Sequence, residues 1–241
     1  MKVTAIIPAR YGSTRLPAKA LADIKGKSMI CRVVDQVRQA KSIEHIIVAT
    51  DDKRIKDAVK SMDCDVIMTS SNLASGTDRC AKAVEIAKIN SDYIINVQGD
   101  EPYIHPRQID DLASFIKDKC GIATQAKLIS QKEQIEDPNV VKVVFNKENE
   151  GLYFSRAVIP FARDIGDISG NTYYKHIGMY GYDRETLLAI SKLPSSMLEK
   201  AERLEQLRWL EHGYKIFVQP THFDAFSVDT PADLAKINTI T

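Results

Sequence analysis

The sequence predicts an α/β fold built on a mainly parallel sheet flanked by helices. In residues 1–130, short apolar runs typical of strands alternate with helical patterns of about 10 residues, as in repeated βαβ units. Two of these runs lead directly into charged loops, of which one is cationic and one is acidic. Ligands of open α/β sheets bind outside the carboxyl ends of the strands, so these loops also locate the expected site.

The alternation predicts elements with defined bounds. Strands are expected at 3–8, 45–50, 64–68, 93–97 and 121–126, and helices at 28–40, 52–61, 77–89 and 106–118. Parallel strands need crossover connections, and right-handed crossovers bring the carboxyl ends of the strands to one edge of the sheet.

The segment 139–182 has a different pattern. It contains strand-like runs at 140–145, 152–154 and 177–182, which are rich in Val, Tyr and Phe. We interpret it as a β-rich lobe inserted into a single domain that spans 1–241. Its polar loop, 162–175, is expected to be mobile.

The C-terminal part returns to alternating elements. Helices are expected near 183–191 and 197–212, followed by a strand at 215–219, and the run 226–228 is strand-like. A last helix is expected to begin at Pro231, because proline is favoured at the first helical position and Asp229 or Thr230 can cap it.

The composition is that of a soluble globular protein of 241 residues, with 44% hydrophobic and 27% charged residues. A net charge of +1 gives no field that favours nucleic acid or an anionic membrane, and we expect neither as a partner. No run approaches the roughly 18 apolar residues of a membrane span, and the N-terminus shows no signal-peptide pattern. Four widely spaced cysteines without a CxxC motif favour free thiols in a reducing cytoplasm.

Three cations lie in the loop that follows the first strand. Arg10, Arg15 and Lys19 would each, taken singly, be an ordinary surface charge. Together, directly after a buried strand and among small hydroxyl and glycine residues, they favour polyphosphate binding. The motifs GxxxxGK[ST] and GxGxxG are absent, which argues against a P-loop kinase and a dinucleotide oxidoreductase.

Two carboxylates follow strand-like runs elsewhere in the chain. Asp100 could belong to a simple turn and Asp229 could be a helix cap. If both carboxylates face the cationic loop, a divalent ion that bridges them is a better explanation than a turn and a helix cap. Mg²⁺ binds in proteins through one or two carboxylates and substrate phosphates.

The stretch Ser75-Gly76-Thr77-Asp78-Arg79 precedes a predicted helix. It is either an ordinary helix cap, in which Ser75 or Thr77 satisfies free N–H groups, or a capped helix start that fits the edge of a nucleotide or a sugar.

A further set of polar residues lies in the second half of the chain. Glu205 falls inside the apolar arc of the helix expected at 197–212, where it would need either a structural ion pair with a core arginine or a polar ligand. Arg156, His176 and Tyr180 interrupt the β-rich segment. A lone His or Tyr is more often structural, whereas an Arg in an apolar segment is typical of an anion site.

The chain resembles the 3-deoxy-D-manno-octulosonate (Kdo) cytidylyltransferase family over nearly its whole length. Seven motifs carry the resemblance, in the family's order and spacing: Ile-Pro-Ala-Arg-Tyr-Gly-Ser-Thr-Arg-Leu-Pro at 7–17, Ala-Ser-Gly-Thr-Asp-Arg at 74–79, Asn-Val-Gln-Gly-Asp-Glu-Pro at 96–102, Leu-Tyr-Phe-Ser-Arg at 152–156, His-Ile-Gly-Met-Tyr-Gly-Tyr at 176–182, Leu-Glu-Gln-Leu-Arg at 204–208 and Val-Asp-Thr-Pro at 228–231.

This resemblance implies a Rossmann-like nucleotidyltransferase that activates a Kdo-type sugar acid with CTP for lipopolysaccharide biosynthesis. It implies a homodimer formed through the smaller β lobe, and Mg²⁺ as cofactor. The implied roles are as follows: Arg10, Arg15 and Lys19 hold the CTP phosphates; Ser75, Gly76, Thr77, Arg79 and Gln98 lie near the nucleotide; Asp100 and Asp229 bind metal and, with Lys19, are catalytic; Arg156, His176, Tyr180, Glu205 and Gln206 line the sugar-acid pocket.

Departures from the family pattern leave the acid open. Ala18 replaces a usual glycine, which reaches positive φ more readily. The segment 222–227 before Asp229 also differs from the family. Alternatives are an 8-amino-Kdo or sialic-type acid as substrate, or a nucleotide-binding regulator without turnover.

Overall fold

The structure is a computed structural model that describes residues 2–119, 121–163, 172–224 and 226–239. The strands are β1 (Val3–Ala9), β2 (Asp23–Ile24), β3 (Lys27–Ser28), β4 (His45–Thr50), β5 (Asp65–Met68), β6 (Tyr93–Asn96), β7 (Ile122–Leu128), β8 (Lys142–Phe145), β9 (Gly151–Ser155), β10 (Tyr174–Asp183) and β11 (Ile216–Thr221). The helices are α1 (Met29–Arg38), α2 (Lys53–Lys60), α3 (Gly76–Ala87), α4 (Pro106–Lys119), α5 (Lys132–Glu136), α6 (Arg184–Ile190), α7 (Met197–Glu202), α8 (Glu205–Glu211) and α9 (Pro231–Thr239).

In the described residues, nine strands form one sheet with the path β11-β7-β10-β6-β1-β4-β5. Strand β1 is parallel to β4 and β6, and β11 is parallel to β7. Only β10 interrupts the parallel order on this path, because it runs antiparallel to both β6 and β7. The predicted α/β fold with a mainly parallel sheet is therefore confirmed.

Both faces of the sheet are covered by helices, so its central strands read as continuous apolar runs. Ala5 and Ile7 of β1 pack in a cluster with residues of α1, α2 and α4. Ile6 points to the other face and packs with residues of α3, α6 and α8. Burial of both faces fixes β1 within the sheet. The carboxyl end of β1 and the cationic loop that follows it therefore lie at one edge of the sheet.

The segment expected to form a β-rich lobe joins the sheet through β10. The first residues of β10 pair with β8, which in turn pairs with β9. The second half of β10 enters the main sheet, where Tyr180 lies opposite Asn96 of β6. Strand β10 starts at Tyr174, earlier than expected, and residues 164–171 of the loop expected to be mobile lie outside the described residues.

The prediction of a single helix at 197–212 is wrong. Helices α7 and α8 are separated at Arg203, whose φ of 53° is left-handed, and at Leu204, which is extended. An apolar periodicity of 3.6 continues across such a break, so it does not reveal a change of helix direction. Glu205 is consequently the first residue of α8, rather than a residue inside the arc of a longer helix.

Smaller findings concern the end of the chain and short elements. The run 226–228, expected to be strand-like, forms no strand. Of the two expected caps of α9, Thr230 is the one observed, since its Oγ1 accepts a hydrogen bond from Asp233 N at 3.2 Å. The β2–β3 hairpin and α5 were not predicted. Among the described residues, no helix has both the length and the apolar character that crossing a membrane requires.

The left-handed residue between α7 and α8 generates a stability prediction. A side chain at positive φ carries strain of about 1–2 kcal/mol, and Arg203→Gly removes this strain. Glycine also makes the unfolded chain more flexible, which offsets part of the gain in stability. We expect a net gain of about 0.5–1 kcal/mol, and hence a Tm higher by about 1–4 °C in calorimetry. Lys200→Gly, within α7, is the control and lowers the Tm. An equal decrease in the Tm of both variants would contradict the strain argument.

Candidate active site

A cavity of about 370 Å³ opens at the carboxyl ends of β1 and β6. It is lined by most of the residues that the sequence predicts for phosphate, nucleotide and metal: Arg10, Arg15, Lys19, Ser75, Gly76, Arg79, Gln98, Asp100 and Asp229. Ser13, Thr14, Leu73 and Ala74 also line it, although the sequence did not single them out. The loops after β1 and β6, the start of α3 and the segment before α9 thus meet at one place.

Two glycines allow these loops to approach β1 closely. A Cβ on Gly99 would lie 2.7 Å from Pro8 O, and a Cβ on Gly76 would lie 3.3 Å from Pro8 Cγ. Real Cβ contacts are not this short against backbone, so any side chain at Gly99 would push the acidic loop away from the cationic loop.

Lys19 joins the two predicted carboxylates. Its Nζ donates to Asp100 Oδ2 at 2.5 Å and to Asp229 Oδ1 at 2.9 Å. Arg15 Nη2 donates to the same Asp229 oxygen at 2.9 Å. Burial by itself would lower the pKa of Lys19, but Asp100 and Asp229 outweigh it, so the pKa is raised and the ammonium is charged.

The backbone reinforces the contact between the two acidic segments. Val228 N donates to Asp100 O at 2.9 Å, which fixes the residue before Asp229 against the loop after β6. Because Thr230 caps α9, the carboxylate of Asp229 remains available to the cavity.

The donor set suits a magnesium ion. Among the described residues no group of three or more His, Cys, Asp or Glu side chains could hold a metal ion. Two carboxylates that already share one cation, the Lys19 ammonium, match a site in which Mg²⁺ takes its remaining ligands from substrate phosphates and water.

Ala18 adopts the conformation expected of the usual glycine. Its φ of 54° and ψ of 32° are left-handed, and it directly precedes the short turn Lys19–Leu21. The substitution therefore places strain of about 1 kcal/mol in the loop instead of altering its path.

The segment Ser75–Arg79 both caps a helix and borders the cavity. Ser75 is a helix cap, since its Oγ accepts from Asp78 N at 3.0 Å, and the start of α3 also lines the cavity. Arg79 is 3% exposed and donates to Thr69 Oγ1 at 2.6 Å, with Asp51 3.7 Å away. Its guanidinium thus holds the loop after β5. Asp51 was missed, although it directly follows the predicted strand 45–50.

Arg10 and Gln98 both line this cavity but differ in their hydrogen bonding. Arg10 is exposed and makes no hydrogen bond within the described part of the chain. Gln98 Nε2 donates to Gly178 O at 2.8 Å, which connects the cavity to β10 between His176 and Tyr180. Arg10 is therefore free for an anionic ligand, whereas Gln98 is anchored.

None of the five residues expected in the sugar-acid pocket is among the residues that line the cavity. Glu205 contacts the start of α3, because its Oε2 accepts from Thr77 Oγ1 at 2.9 Å. No arginine pairs with it among the described residues; Arg208 pairs with Glu199 instead, at 2.5 Å. Burial raises the pKa of Glu205, against the lowering effect of its hydroxyl partners.

His176 and Tyr180 belong to an aromatic cluster that the sequence did not reveal, and Gln206 is buried in α8. His176 Nε2 lies 3.1 Å from Thr124 Oγ1, and its ring is 5.4 Å from that of Tyr180. Trp209 packs edge-on against Tyr180 at 5.1 Å. The Tyr180 hydroxyl is buried without a partner in the described residues, as is Trp209 Nε1. Unpaired buried donors of this kind suit a polar ligand.

Arg156 is held from two sides. Its Nε donates to Glu202 O at 2.9 Å and its Nη1 donates to Pro138 O at 3.0 Å. Within the described residues Nη2 makes no hydrogen bond, so one edge of the guanidinium remains for an anion.

Comparisons with known proteins identify the family of the chain. The cytidylyltransferase family matches residues 4–216. The 3-deoxy-manno-octulosonate cytidylyltransferase of Parabacteroides distasonis is 48% identical, covering 98% of this chain and 96% of its own. The chain belongs to the cytidylyltransferase family. The family includes the 8-amino-3,8-dideoxy-manno-octulosonate cytidylyltransferase of Shewanella pealeana, which is 49% identical over 97% of this chain and 96% of its own.

Solved cytidylyltransferase structures have the same fold. The structure of CMP:2-keto-3-deoxy-manno-octonic acid synthetase complexed with CTP matches with a TM-score of 0.93 and 40% identity, covering 100% of this chain and 98% of that one. The 4-diphosphocytidyl-2C-methyl-D-erythritol synthase of Anaerococcus prevotii, with a TM-score of 0.65 and 15% identity over 98% of this chain and 96% of that one, shares the fold alone.

The buried histidine generates a pH prediction. Burial lowers the pKa of His176 from 6.5 to about 3. The folded protein then binds fewer protons than the unfolded protein between these values, so stability is lost as the pH falls below about 6.5. His176→Gln removes this loss, and we expect its Tm to fall less than the wild-type Tm between pH 7.5 and pH 5. His45→Gln, at an exposed position, should follow the wild type. Parallel Tm curves for His176→Gln and wild type would show that His176 does not titrate abnormally.

Proposed function

We propose that this chain transfers a cytidylyl group from CTP to the anomeric hydroxyl of a Kdo-type sugar acid and releases pyrophosphate. One observation carries the proposal: a single ammonium, Lys19, joins Asp100 and Asp229 in a cavity that is also lined by Arg10 and Arg15. Such a site presents cations to a triphosphate and carboxylates to a divalent ion at the same edge of the sheet. Family membership over nearly the whole chain supports it.

In the proposed reaction the C2 hydroxyl oxygen attacks the α-phosphorus of CTP. The bond from this phosphorus to the β-phosphate bridging oxygen breaks, pyrophosphate leaves in line, and the hydroxyl proton passes to solvent water. Arg10, Arg15 and Lys19 hold the phosphates and stabilise the charge that develops on the leaving group. The start of α3 adds N–H groups that favour an anion. The contribution of the protein is mainly orientation and charge stabilisation.

Asp100 and Asp229 would hold Mg²⁺. When bound, the metal supplies charge neutralisation on the phosphates and lowers the pKa of a coordinated hydroxyl. With both carboxylates taken up by the metal, the Lys19 ammonium would be available to the phosphates of CTP.

The sugar acid would bind between β10, α8 and the end of β9. Arg156 presents Nη2 to the carboxylate, while Glu205, Gln206, His176 and Tyr180 provide partners for the hydroxyls. Burial keeps His176 neutral, so it acts there as a hydrogen-bonding group and not as a second cation.

A related acid is the second candidate. Relatives named for Kdo and for its 8-amino form have nearly equal identity to this chain, 48% and 49%. A sialic-type acid would need the same chemistry with a longer chain, and a regulator without turnover would not need Lys19 between two carboxylates.

We further propose a cytoplasmic homodimer. Strand β9 pairs along its length only with β8 among the described residues, Glu150 just before it bridges to Phe217 of β11, and Leu152 on β9 is 61% exposed. A large apolar side chain exposed on a strand suits contact with a second copy. The three described cysteines are free thiols, which fits a reducing compartment.

The substrate is tested by offering CTP and Mg²⁺ with Kdo, 8-amino-Kdo or a sialic acid, and identifying the product by mass spectrometry. We expect a CMP-octulosonate and stoichiometric pyrophosphate, and a rate with ATP at least about tenfold lower than with CTP. A CMP-sialic acid as the main product would refute the octulosonate assignment. Absence of any pyrophosphate release with all three acids would favour the regulator.

The metal assignment is tested with Asp100→Asn. Loss of one carboxylate should lower kcat by about 10²–10³-fold, because the charge that positions the metal is removed. The Tm shift that Mg²⁺ with CTP produces should also shrink, which is a readout independent of turnover. Asp35→Asn, which breaks an ion pair with Lys27 outside the cavity, is the matched control. Unchanged magnesium dependence in Asp100→Asn would exclude Asp100 as a ligand.

A further inference from the structure

A fully buried lysine lies outside the cavity. Lys142 is the first residue of β8 and its side chain is 0% exposed. Lysine is almost never buried unless it is paired, because desolvation of the ammonium is costly. No carboxylate forms a salt bridge with Lys142 in the described residues, so the reason for its burial must lie in other contacts.

Three backbone carbonyls surround the ammonium. Lys142 Nζ donates to Val140 O at 2.6 Å, to Arg156 O at 2.7 Å and to Asp137 O at 2.9 Å. These contacts use all three N–H groups of a charged ammonium, whereas a neutral amine has only two. An apolar side chain at this position would leave three buried carbonyls without donors, and each such loss is destabilising.

The carbonyls belong to the segments that hold Arg156. Asp137 and Val140 flank Pro138, whose carbonyl accepts from Arg156 Nη1. The carbonyl of Arg156 itself is the third acceptor of the ammonium. Lys142 therefore fixes both the backbone of Arg156 and one of the two carbonyls that orient its guanidinium.

The other side of Arg156 is fixed by Glu202 at the end of α7. The Glu202 carboxylate accepts from Ser155 Oγ at 2.6 Å and from Arg156 N at 2.9 Å, and its carbonyl accepts from Arg156 Nε. Nε and Nη1 are thereby occupied, and Nη2 is the edge left for a ligand. Rotation of the guanidinium would require one of these carbonyls to move.

We propose that Lys142 is a positioning residue that holds the Arg156 guanidinium with Nη2 directed at the carboxylate of the sugar acid. The inference rests on the proposed function, in which Arg156 binds that carboxylate. Lys142 does not touch the substrate. It acts through the Asp137–Val140 loop and the Arg156 carbonyl, and its charge adds to the positive potential beside the guanidinium.

The test compares steady-state kinetics of Lys142→Met, Arg156→Ala and the double variant. We expect Arg156→Ala and Lys142→Met each to raise the KM for the sugar acid by about tenfold or more, with the KM for CTP within about twofold of wild type. The double variant should be no worse than Arg156→Ala, since the effect of Lys142 passes through Arg156.

Two controls separate positioning from a loss of stability. Val143→Ala shortens a buried side chain on the same strand and should lower the Tm without changing the ratio of the two KM values. Lys215→Met makes the same substitution at an exposed lysine that pairs with Glu150, and should resemble wild type. If Lys142→Met does not fold, Lys142→Gln, which keeps two N–H donors, is measured in its place.

The outcomes distinguish the inference from the function on which it rests. A raised sugar-acid KM in Arg156→Ala but not in the Lys142 variant overturns the positioning role alone. An unchanged KM in both variants overturns the assignment of Arg156 to the sugar acid. Additive effects in the double variant would also refute the proposal, because they would show that Lys142 acts independently of Arg156.

Discussion

The contact of Lys19 with Asp100 and Asp229 is the interaction on which the site depends. It joins residues 81 and 210 positions apart in the sequence. Two carboxylates at this separation would repel each other without a cation, and Lys19 lies 19% exposed between them, where solvent screens the repulsion little. The charges that suit a triphosphate and a metal thus also orient the cationic and acidic loops toward each other at the cavity.

This contact is supported by an apolar cluster below it. Leu16 from the cationic loop, Met29 from α1, and Val228 and Ile237 from the C-terminal segment pack together. Hydrophobic burial holds the last helix against the first loop, and the hydrogen bond from Val228 N to Asp100 O sets the distance between the acidic segments. Ion pairs at partly exposed positions contribute little stability, so the cluster and not the ion pair carries most of the attachment.

Strand β10 determines what lies next to the nucleotide cavity. Because it runs antiparallel between β6 and β7, it brings its own start to the edge where the parallel strands end. His176 and Gly178 therefore lie near Gln98, and the β8–β9 hairpin with Lys142 and Arg156 extends from the same edge. One reversed strand thus combines a cationic cavity with a polar and aromatic surface.

The sequence by itself determined the α/β class, the helices and the main-sheet strands of residues 1–130, and the cationic and acidic loops, but not the β2–β3 hairpin. These follow from local patterns, because apolar periodicity reports burial and a strand followed by charges reports a sheet edge. Only the tertiary structure decided that Lys19 joins Asp100 to Asp229, that Arg79 supports a loop, and that α7 and α8 are separate. Distances between remote segments and a left-handed residue such as Arg203 leave no periodic signal. Lys142 illustrates the reason most clearly: its acceptors are backbone carbonyls, which every residue possesses, so no side-chain pattern in the sequence could indicate them.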